Sequence, residues 1–210
     1  MPRKKKYQII YSDPPWEYNT TQYTGKKARD GKFKTTKETG SARHHYPTMS
    51  MDELKALNVN EVADPNGCLM FMWTSSPHLA KAIDLMECWG FKYITIGFIW
   101  DKQRLNPGYY TMSQCEICLI GKIHKIPQPR GARNIRQLVS IERTRHSQKP
   151  GEVRDRISEM FPKQNKLEMF ARKKYKGWDA WGNEVKSQIN IFKKQAKQQK
   201  IAATKRSRKK

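Results

Sequence analysis

Acidic residues are scarce in this sequence, and long apolar runs are missing. The 210 residues include 19 Asp and Glu against 42 Lys and Arg, which gives a formal net charge of +23. Cations in such excess favour a polyanionic partner, because lysines and arginines that neutralise phosphates release counterions. No apolar run approaches the roughly 20 residues that a membrane helix needs. The composition therefore predicts a nucleic-acid partner and no membrane partner.

Cysteine is scarce as well. The four cysteines lie in or beside apolar segments and are Cys68, Cys88, Cys115 and Cys118. Buried thiols are typical of a cytosolic protein, so we expect a cytoplasmic location. Cys115 and Cys118 form one C-x-x-C pair, but zinc needs two more ligands and none is nearby. We therefore expect no metal site.

The apolar residues that are present cluster into short runs typical of strands. Strands are predicted at residues 7–12, 68–73, 93–100, 115–120, 138–141 and 166–170. Helices are predicted at 50–57, 76–89 and from 150, and polar loops at 17–47, 101–113 and 121–136. Strands separated by helical stretches predict an α/β fold, with a mostly parallel sheet and helices on both faces. Ligands of such sheets lie at the carboxyl ends of the strands.

The end of the sequence differs in composition from the rest. Residues 186–210 contain ten Lys or Arg and no acid. We therefore predict one domain over residues 1–185 and a mobile basic tail over 186–210.

The motif Asp13-Pro14-Pro15-Trp16 follows the first predicted strand. An aryl amine is a poor nucleophile, because its lone pair is delocalised into the ring. A carboxylate such as Asp13 and a carbonyl held still by consecutive prolines can accept its two N–H bonds and aim that lone pair at a methyl donor. Trp16 offers a flat face for an extruded base. The alternative is an ordinary turn in which Asp13 caps and Trp16 packs.

Two later segments carry features of a ligand site. Lys149 precedes a predicted helix start, where a cation and unpaired N–H groups suit the carboxylate of S-adenosylmethionine. A predicted strand ends near Phe170 and Arg172, and Asn183-Glu184 follows a glycine turn. These side chains could hold the ribose and adenine of the same molecule. Without the first motif, an exposed lysine and a core strand with exposed ends explain both segments.

Four anchors in this order resemble the MTA-type adenine-N6 methyltransferases, the family named after the seventy-kilodalton subunit of the mRNA adenosine methyltransferase. The resemblance covers about residues 7–184. Its anchors are Asp13-Pro14-Pro15-Trp16, Ser147-Gln148-Lys149-Pro150, Glu168-Met169-Phe170-Ala171-Arg172 and residues 177–184, Gly-Trp-Asp-Ala-Trp-Gly-Asn-Glu.

The resemblance implies a Rossmann-like methyltransferase fold in permuted order, with the catalytic motif before the cofactor strand. By position, Asp13 and Pro14 would hold the target amine, and Trp16 would stack on it. Lys149 would meet the carboxylate of S-adenosylmethionine. The cofactor pocket would be lined by Phe170, Arg172, Asn183 and Glu184. The loops at 17–47 and 101–114 would gate the substrate.

Two departures from the family pattern bear on function. Only six residues precede the first predicted strand, so a cofactor-adenine contact placed upstream in longer members is missing or comes from elsewhere. No zinc-finger or target-recognition domain is recognisable. Both points suggest a compact microbial or phage-like enzyme with low sequence specificity.

The favoured function is N6 methylation of adenine in DNA, because the chain is small and lacks a recognisable RNA module. Methylation of adenosine in RNA uses the same chemistry and stays open. A third hypothesis is a non-catalytic nucleic-acid-binding subunit. Such a subunit would be expected to lose Asp13 or Trp16, and both residues are present. A purely basic binding protein would leave Lys149 without a purpose. The family often pairs subunits, so both a homodimer and a heterodimer stay open.

Overall fold

The computed structural model describes residues 5–17, 22–27, 33–36, 48–106, 110–143, 148–189 and 191. These residues form nine strands and three α-helices. The strands are β1 Ile9–Ser12, β2 Gln22–Lys27, β3 Phe33–Thr36, β4 Gly67–Thr74, β5 Lys92–Asn106, β6 Ser113–His124, β7 Leu138–Ser140, β8 Lys166–Met169 and β9 Asp179–Trp181. The helices are α1 Met51–Lys55, α2 Leu79–Cys88 and α3 Gly151–Met160.

Seven of these strands form one sheet in the order β7-β5-β6-β4-β1-β8-β9. Four neighbouring pairs are parallel, and β6 runs antiparallel to both β4 and β5. The mixed α/β fold with a mostly parallel sheet is therefore confirmed. The carboxyl ends of β1, β4, β5, β7, β8 and β9 and the start of β6 share one edge, which we call the carboxyl edge.

Helices cover both faces of this sheet. Successive side chains of a strand point to opposite faces, so Ile10 and Tyr11 enter two separate core clusters. The Ile10 cluster includes Leu54 of α1 and Leu85 of α2. The Tyr11 cluster includes Ile157 of α3. The central strand β1 is thus buried on both sides, and the residue after it is held firmly.

Local signals in the sequence located the helix starts well. Ser50 and Glu53 form the reciprocal capping box expected before α1. α2 follows a short 3-10 turn at Ser76–His78, and Pro150 is the N-cap of α3. The helix predicted through residue 57 ends earlier, since α1 ends at Lys55.

The loop predictions were partly wrong. Residues 17–47 contain an antiparallel pair, β2 and β3, although this segment lacks apolar periodicity. The predicted loops at 101–113 and 121–136 are shortened, because β5 continues to Asn106 and β6 spans Ser113–His124. Backbone pairing sustains these strand ends: β5 pairs with β6 at one end, and the last residues of β6 pair with β4 at the other. A pattern of side-chain polarity does not record this pairing.

The domain boundary predicted at residue 185 falls too early. Ile191 is buried in the α1–α2 core cluster, and its carbonyl accepts a hydrogen bond of 2.9 Å from the Asn58 amide. The Gln188 amide also donates to the Ala180 carbonyl of β9. Residues 186–189 and 191 therefore belong to the folded domain. The rest of the predicted tail, residues 192–210, lies outside the described residues.

The cysteine prediction was half right. Cys68 and Cys118 are buried, whereas Cys88 and Cys115 are exposed. Cys115 and Cys118 lie on β6 at an odd spacing, so their side chains leave opposite faces of the sheet. None of the helices in the described part of the chain combines the length and the apolar character needed to cross a bilayer.

Candidate active site

Asp13 lies directly after β1 at the carboxyl edge, with 28% of its side chain exposed. The backbone after it turns away from the sheet. The Trp16 amide donates to the Pro14 carbonyl at 2.8 Å, and the Met49 amide donates to the Pro15 carbonyl at 3.0 Å. A carbonyl oxygen has two lone pairs, so the Pro14 oxygen keeps a second acceptor site. The motif thus has a carboxylate and a carbonyl fixed by a hydrogen bond on two adjacent residues.

Lys149 reaches across the carboxyl edge to Asp13. Its Nζ lies 2.9 Å from Asp13 Oδ1 and 3.0 Å from Oδ2, and 11% of its side chain is exposed. Burial raises the pKa of the Asp13 carboxyl, and the cation of Lys149 acts in the opposite direction. The predicted catalytic and ligand-binding residues therefore meet directly, although 136 positions separate them in sequence.

Glu116 is a member of this site that the sequence analysis missed. It lies on β6, and its carboxylate contacts Lys149 Nζ at 3.2 Å and Lys102 Nζ at 3.4 Å. Burial works to raise the pKa of Glu116, but the two lysines outweigh it and the pKa lies below its ordinary value. Its signal in the sequence was a lone acid inside the apolar segment 115–120. That pattern also fits a strand with one exposed position.

Trp16 serves as an anchor of the turn. Only 5% of the residue is exposed, and its Nε1 donates to the Trp73 carbonyl at 3.2 Å. The indole stacks on the His78 ring with 5.8 Å between ring centroids. Both contacts fix the chain after Asp13. The face predicted to receive a base is covered in this structure, and an incoming base would have to displace His78.

The turns after β8 and β9 bring the remaining predicted residues together. Phe170 has a left-handed backbone (φ +59°), and its half-buried ring stands edge-on against Trp181 at 5.2 Å. The chain after β9 passes so close that a Cβ on Gly182 would lie 2.3 Å from the Ala171 carbonyl oxygen. This close approach explains the glycine before Asn183-Glu184.

Charged side chains project from these two turns toward solvent. Arg172 Nε lies 3.6 Å from Glu184 Oε1. Like Lys149, the charge of Arg172 opposes the burial that raises the pKa of Asp13. Asn183 is exposed beside Glu184. All the predicted site residues therefore lie along the carboxyl edge, whereas Ser147 of the second anchor lies outside the described residues.

A second cation–carboxylate pair lies beneath the site. Arg154 of α3 binds Glu168 of β8 through two hydrogen bonds of 2.8 and 2.9 Å. Its guanidinium lies 3.5 Å from the centroid of the Tyr175 ring and 5.7 Å from that of Tyr11. This pair fastens α3 to β8, the strand between β1 and β9, and thereby sets the position of Lys149, which lies just before the helix.

The mostly parallel α/β sheet, with an Asp-Pro-Pro-Trp turn at its carboxyl edge, is consistent with a Rossmann-like methyltransferase fold. The MT-A70 family model matches residues 7–184. The chain therefore belongs to the MT-A70 family and is a methyltransferase of that family, which confirms the resemblance identified from its motifs.

Curated relatives extend this result. The chain is 48% identical over 188 residues to the type II methyltransferase M.MunI of Mycoplasma sp, covering 88% of this chain and 80% of that relative. It is 27% identical to an N(6)-adenosine-methyltransferase MT-A70-like protein of Arabidopsis thaliana, over 85% of this chain and 24% of the relative. It is 22% identical to the human N(6)-adenosine-methyltransferase catalytic subunit METTL3, over 86% of this chain and 28% of the relative. The chain thus spans only about a quarter of the length of these two eukaryotic proteins.

Proposed function

We propose that this protein transfers a methyl group from S-adenosylmethionine to the exocyclic N6 amine of adenine in DNA. One observation carries the proposal: the Asp13 carboxylate stands at the carboxyl edge beside a fixed proline carbonyl and is held by Lys149. A carboxylate next to a rigid carbonyl is the acceptor pair that an aryl amine needs. The family membership makes methyl transfer the reaction that this pair serves.

Asp13 and Pro14 act by orienting the amine. Each accepts one N–H bond, so the nitrogen lone pair turns out of the plane of the base and away from delocalisation. No strong base is required, because the amine becomes acidic once it has formed its new bond to carbon. The negative charge of Asp13 stabilises the positive charge that develops on nitrogen. Alignment of the reacting atoms supplies much of the remaining rate enhancement.

The residues along the carboxyl edge fit S-adenosylmethionine, which when bound supplies an electrophilic methyl on a sulfonium. Lys149 offers a cation for its carboxylate, while Arg172, Asn183 and Glu184 offer polar groups for its ribose and adenine, and Phe170 an apolar ring. Ser12 supports the fit from within the sheet. Its hydroxyl is fully buried and has no hydrogen-bond partner among the described residues. An unpaired buried polar group is costly, and a polar ligand at this strand end would satisfy it.

DNA is favoured over RNA as the substrate. The relative at 48% identity is named a type II methyltransferase, whereas the relatives named as adenosine methyltransferases are 22–27% identical. The net charge of +23 suits either polyanion. Nine Lys or Arg and no acid occur in residues 192–210, and we assign this segment sequence-independent contacts to phosphates.

The order of motifs in the chain supports a permuted version of the fold. β1 carries the proposed catalytic turn and precedes β8, which carries the proposed cofactor turn. The two strands are nevertheless parallel neighbours in the sheet. The retained Asp13 also favours a catalytic protein over a non-catalytic binding subunit.

The test is the transfer of labelled methyl from S-adenosylmethionine to DNA and RNA by the wild type and Asp13→Asn. The variant should lose at least about a hundredfold in rate, because it lacks the charge that stabilises the amine. Its binding of DNA should barely change. Asp84→Asn is a matched control, since Asp84 is an exposed carboxylate on α2. Transfer by Asp13→Asn at the wild-type rate would contradict the proposal.

A further inference from the structure

The hairpin arm formed by β5 and β6 carries unusual side chains. We define the arm as residues 102–106 and 110–115. Seven large hydrophobic side chains are exposed in the described part of the chain, and three of them lie on this arm. Tyr110 is fully exposed, Leu105 is 58% exposed and Met112 is 55% exposed. A cluster of exposed apolar side chains on a monomeric surface commonly marks an interaction site.

The arm projects past the carboxyl edge, next to the proposed active site. β4 ends at Thr74, which pairs with Ile117 of β6. The β5–β6 pairing shifts register after Asp101 and Cys115 and then reaches Asn106 and Ser113. About four residues of β6 therefore extend past the last residue of β4, on the order of 13 Å at the usual rise of a strand. The apolar cluster lies at the far end of this extension.

The base of the arm is fixed to the catalytic turn. Lys102 of the arm contacts Glu116, Glu116 contacts Lys149, and Lys149 contacts Asp13. Asp101 additionally accepts hydrogen bonds from the amide of Gln103 and the side chain of Gln114. The segment after β7 supports the outer side, where the Arg143 amide donates to the Lys102 carbonyl. The base of the arm is thus connected to Asp13 through a chain of ion pairs.

The chemistry of the arm suits nucleic acid. No acidic residue occurs between Asp101 and Glu116. Arg104 is exposed beside Leu105, and an arginine there can contact a phosphate while its apolar neighbours contact bases. An aromatic ring such as Tyr110 stacks on any base, which gives contact without sequence preference.

We propose that the exposed side chains of Leu105, Tyr110 and Met112 on this arm enter duplex DNA beside the target and fill the space that the extruded adenine leaves. This inference rests on the proposed function. Asp13 is half-buried at the carboxyl edge, so the N6 amine of a base inside a duplex has no access to it. Extrusion costs a few kcal/mol of unstacking and unpairing. Apolar side chains that insert between base steps are a known way to hold such a distortion.

The test compares native and heat-denatured samples of one long DNA as acceptors of labelled methyl. The variants are Leu105→Ala and Tyr110→Ala, with Ile126→Ala as a matched exposed apolar control on the loop after β6, at the opposite edge. Tyr110→Phe keeps the ring. Tyr110→Ala should lower the rate on native DNA at least about tenfold, because the duplex with its adenine extruded loses a side chain that fills the gap. Its rate on denatured DNA should fall by a clearly smaller factor, because a single strand needs no extrusion.

The outcomes separate this inference from the proposed function. A wild-type protein that methylates only denatured DNA overturns the proposed insertion of the arm and leaves the proposed function intact. Equal losses of rate on both DNA samples in Tyr110→Ala, or no loss on native DNA, also overturn the insertion. Methylation of neither sample by the wild type overturns both proposals. Sedimentation of each variant checks one further outcome: a loss that accompanies dissociation of a dimer would assign the arm to an interface between two copies.

Discussion

Two cation–carboxylate pairs flank the start of α3, and they are built differently. Lys149 precedes the helix and shares one ammonium between Asp13 of the turn after β1 and Glu116 of β6. Arg154 lies in the first turn of the helix and gives two parallel hydrogen bonds to Glu168. The side chains of Asp13 and Glu116 are 28% and 23% exposed, whereas those of Arg154 and Glu168 are 8% and 11% exposed.

This difference separates a functional site, the Lys149 pair, which can exchange partners, from a structural contact, the Arg154 pair, which cannot. An ammonium is a compact charge with three rotatable donors, so Lys149 can turn from a protein carboxylate to a ligand carboxylate. A guanidinium fork matched to one carboxylate has a fixed geometry. The Arg154 pair therefore holds α3 on the sheet. The Lys149 pair, just before that helix, takes part in ligand binding and catalysis.

The largest effect on stability is expected at Arg154. Arg154→Met leaves the Glu168 carboxylate buried without its partner, which should destabilise the protein by about 3–5 kcal/mol. Lys149→Met should cost only about 1 kcal/mol, because its partners can still be hydrated. Denaturant unfolding of both variants measures the difference. Equal losses of stability in the two variants would contradict the distinction between the structural Arg154 pair and the functional Lys149 pair.

A smaller effect is expected on cofactor affinity. Lys149→Met should weaken S-adenosylmethionine binding by roughly 1.5–3 kcal/mol, because a charge-assisted contact is lost. Calorimetry with the purified protein measures it, and Lys55→Met, which removes a lysine paired on the surface with Asp84, is the control. Unchanged affinity in Lys149→Met would place the ligand carboxylate elsewhere.

The smallest effect is a shift of the pH profile. Burial raises the pKa of Asp13, so the rate should fall as pH decreases through that pKa and the acceptor becomes protonated. Lys149 lowers this pKa. Removing its charge should therefore move the acid limb of kcat/KM to higher pH, while Lys149→Arg should leave it near the wild-type position. A limb that stays in place or moves to lower pH in Lys149→Met would contradict the pairing.

The sequence was informative where local chemistry decides structure. The capping box at Ser50, the turn after β1 and the helix start at Pro150 each depend on a few adjacent residues. The sequence left open whether Trp16 stacks on a base or packs, because its contact His78 is distant in sequence. Glu116 was missed for the same reason, since only the antiparallel placement of β6 beside β4 brings it to Lys149. The long ends of β5 and β6 depend on backbone pairing between these strands and with β4, which periodicity does not report.

The extent of the domain also depended on distant contacts. Residues after 185 are rich in lysine and glutamine, a composition typical of a solvated tail. Ile191 nevertheless enters the core, where it belongs to the same cluster as Leu54 of α1 and Leu85 of α2. A single apolar residue in a polar segment carries too little signal to predict such packing.

The most direct test of the account is the identity of the methylated nucleoside. DNA is incubated with the wild type and S-adenosylmethionine, digested to nucleosides and analysed by mass spectrometry, with Asp13→Asn in parallel. The account predicts N6-methyladenine from the wild type and only background levels of it from Asp13→Asn. A methyl group found on another base, or equal N6-methyladenine from both proteins, would contradict it.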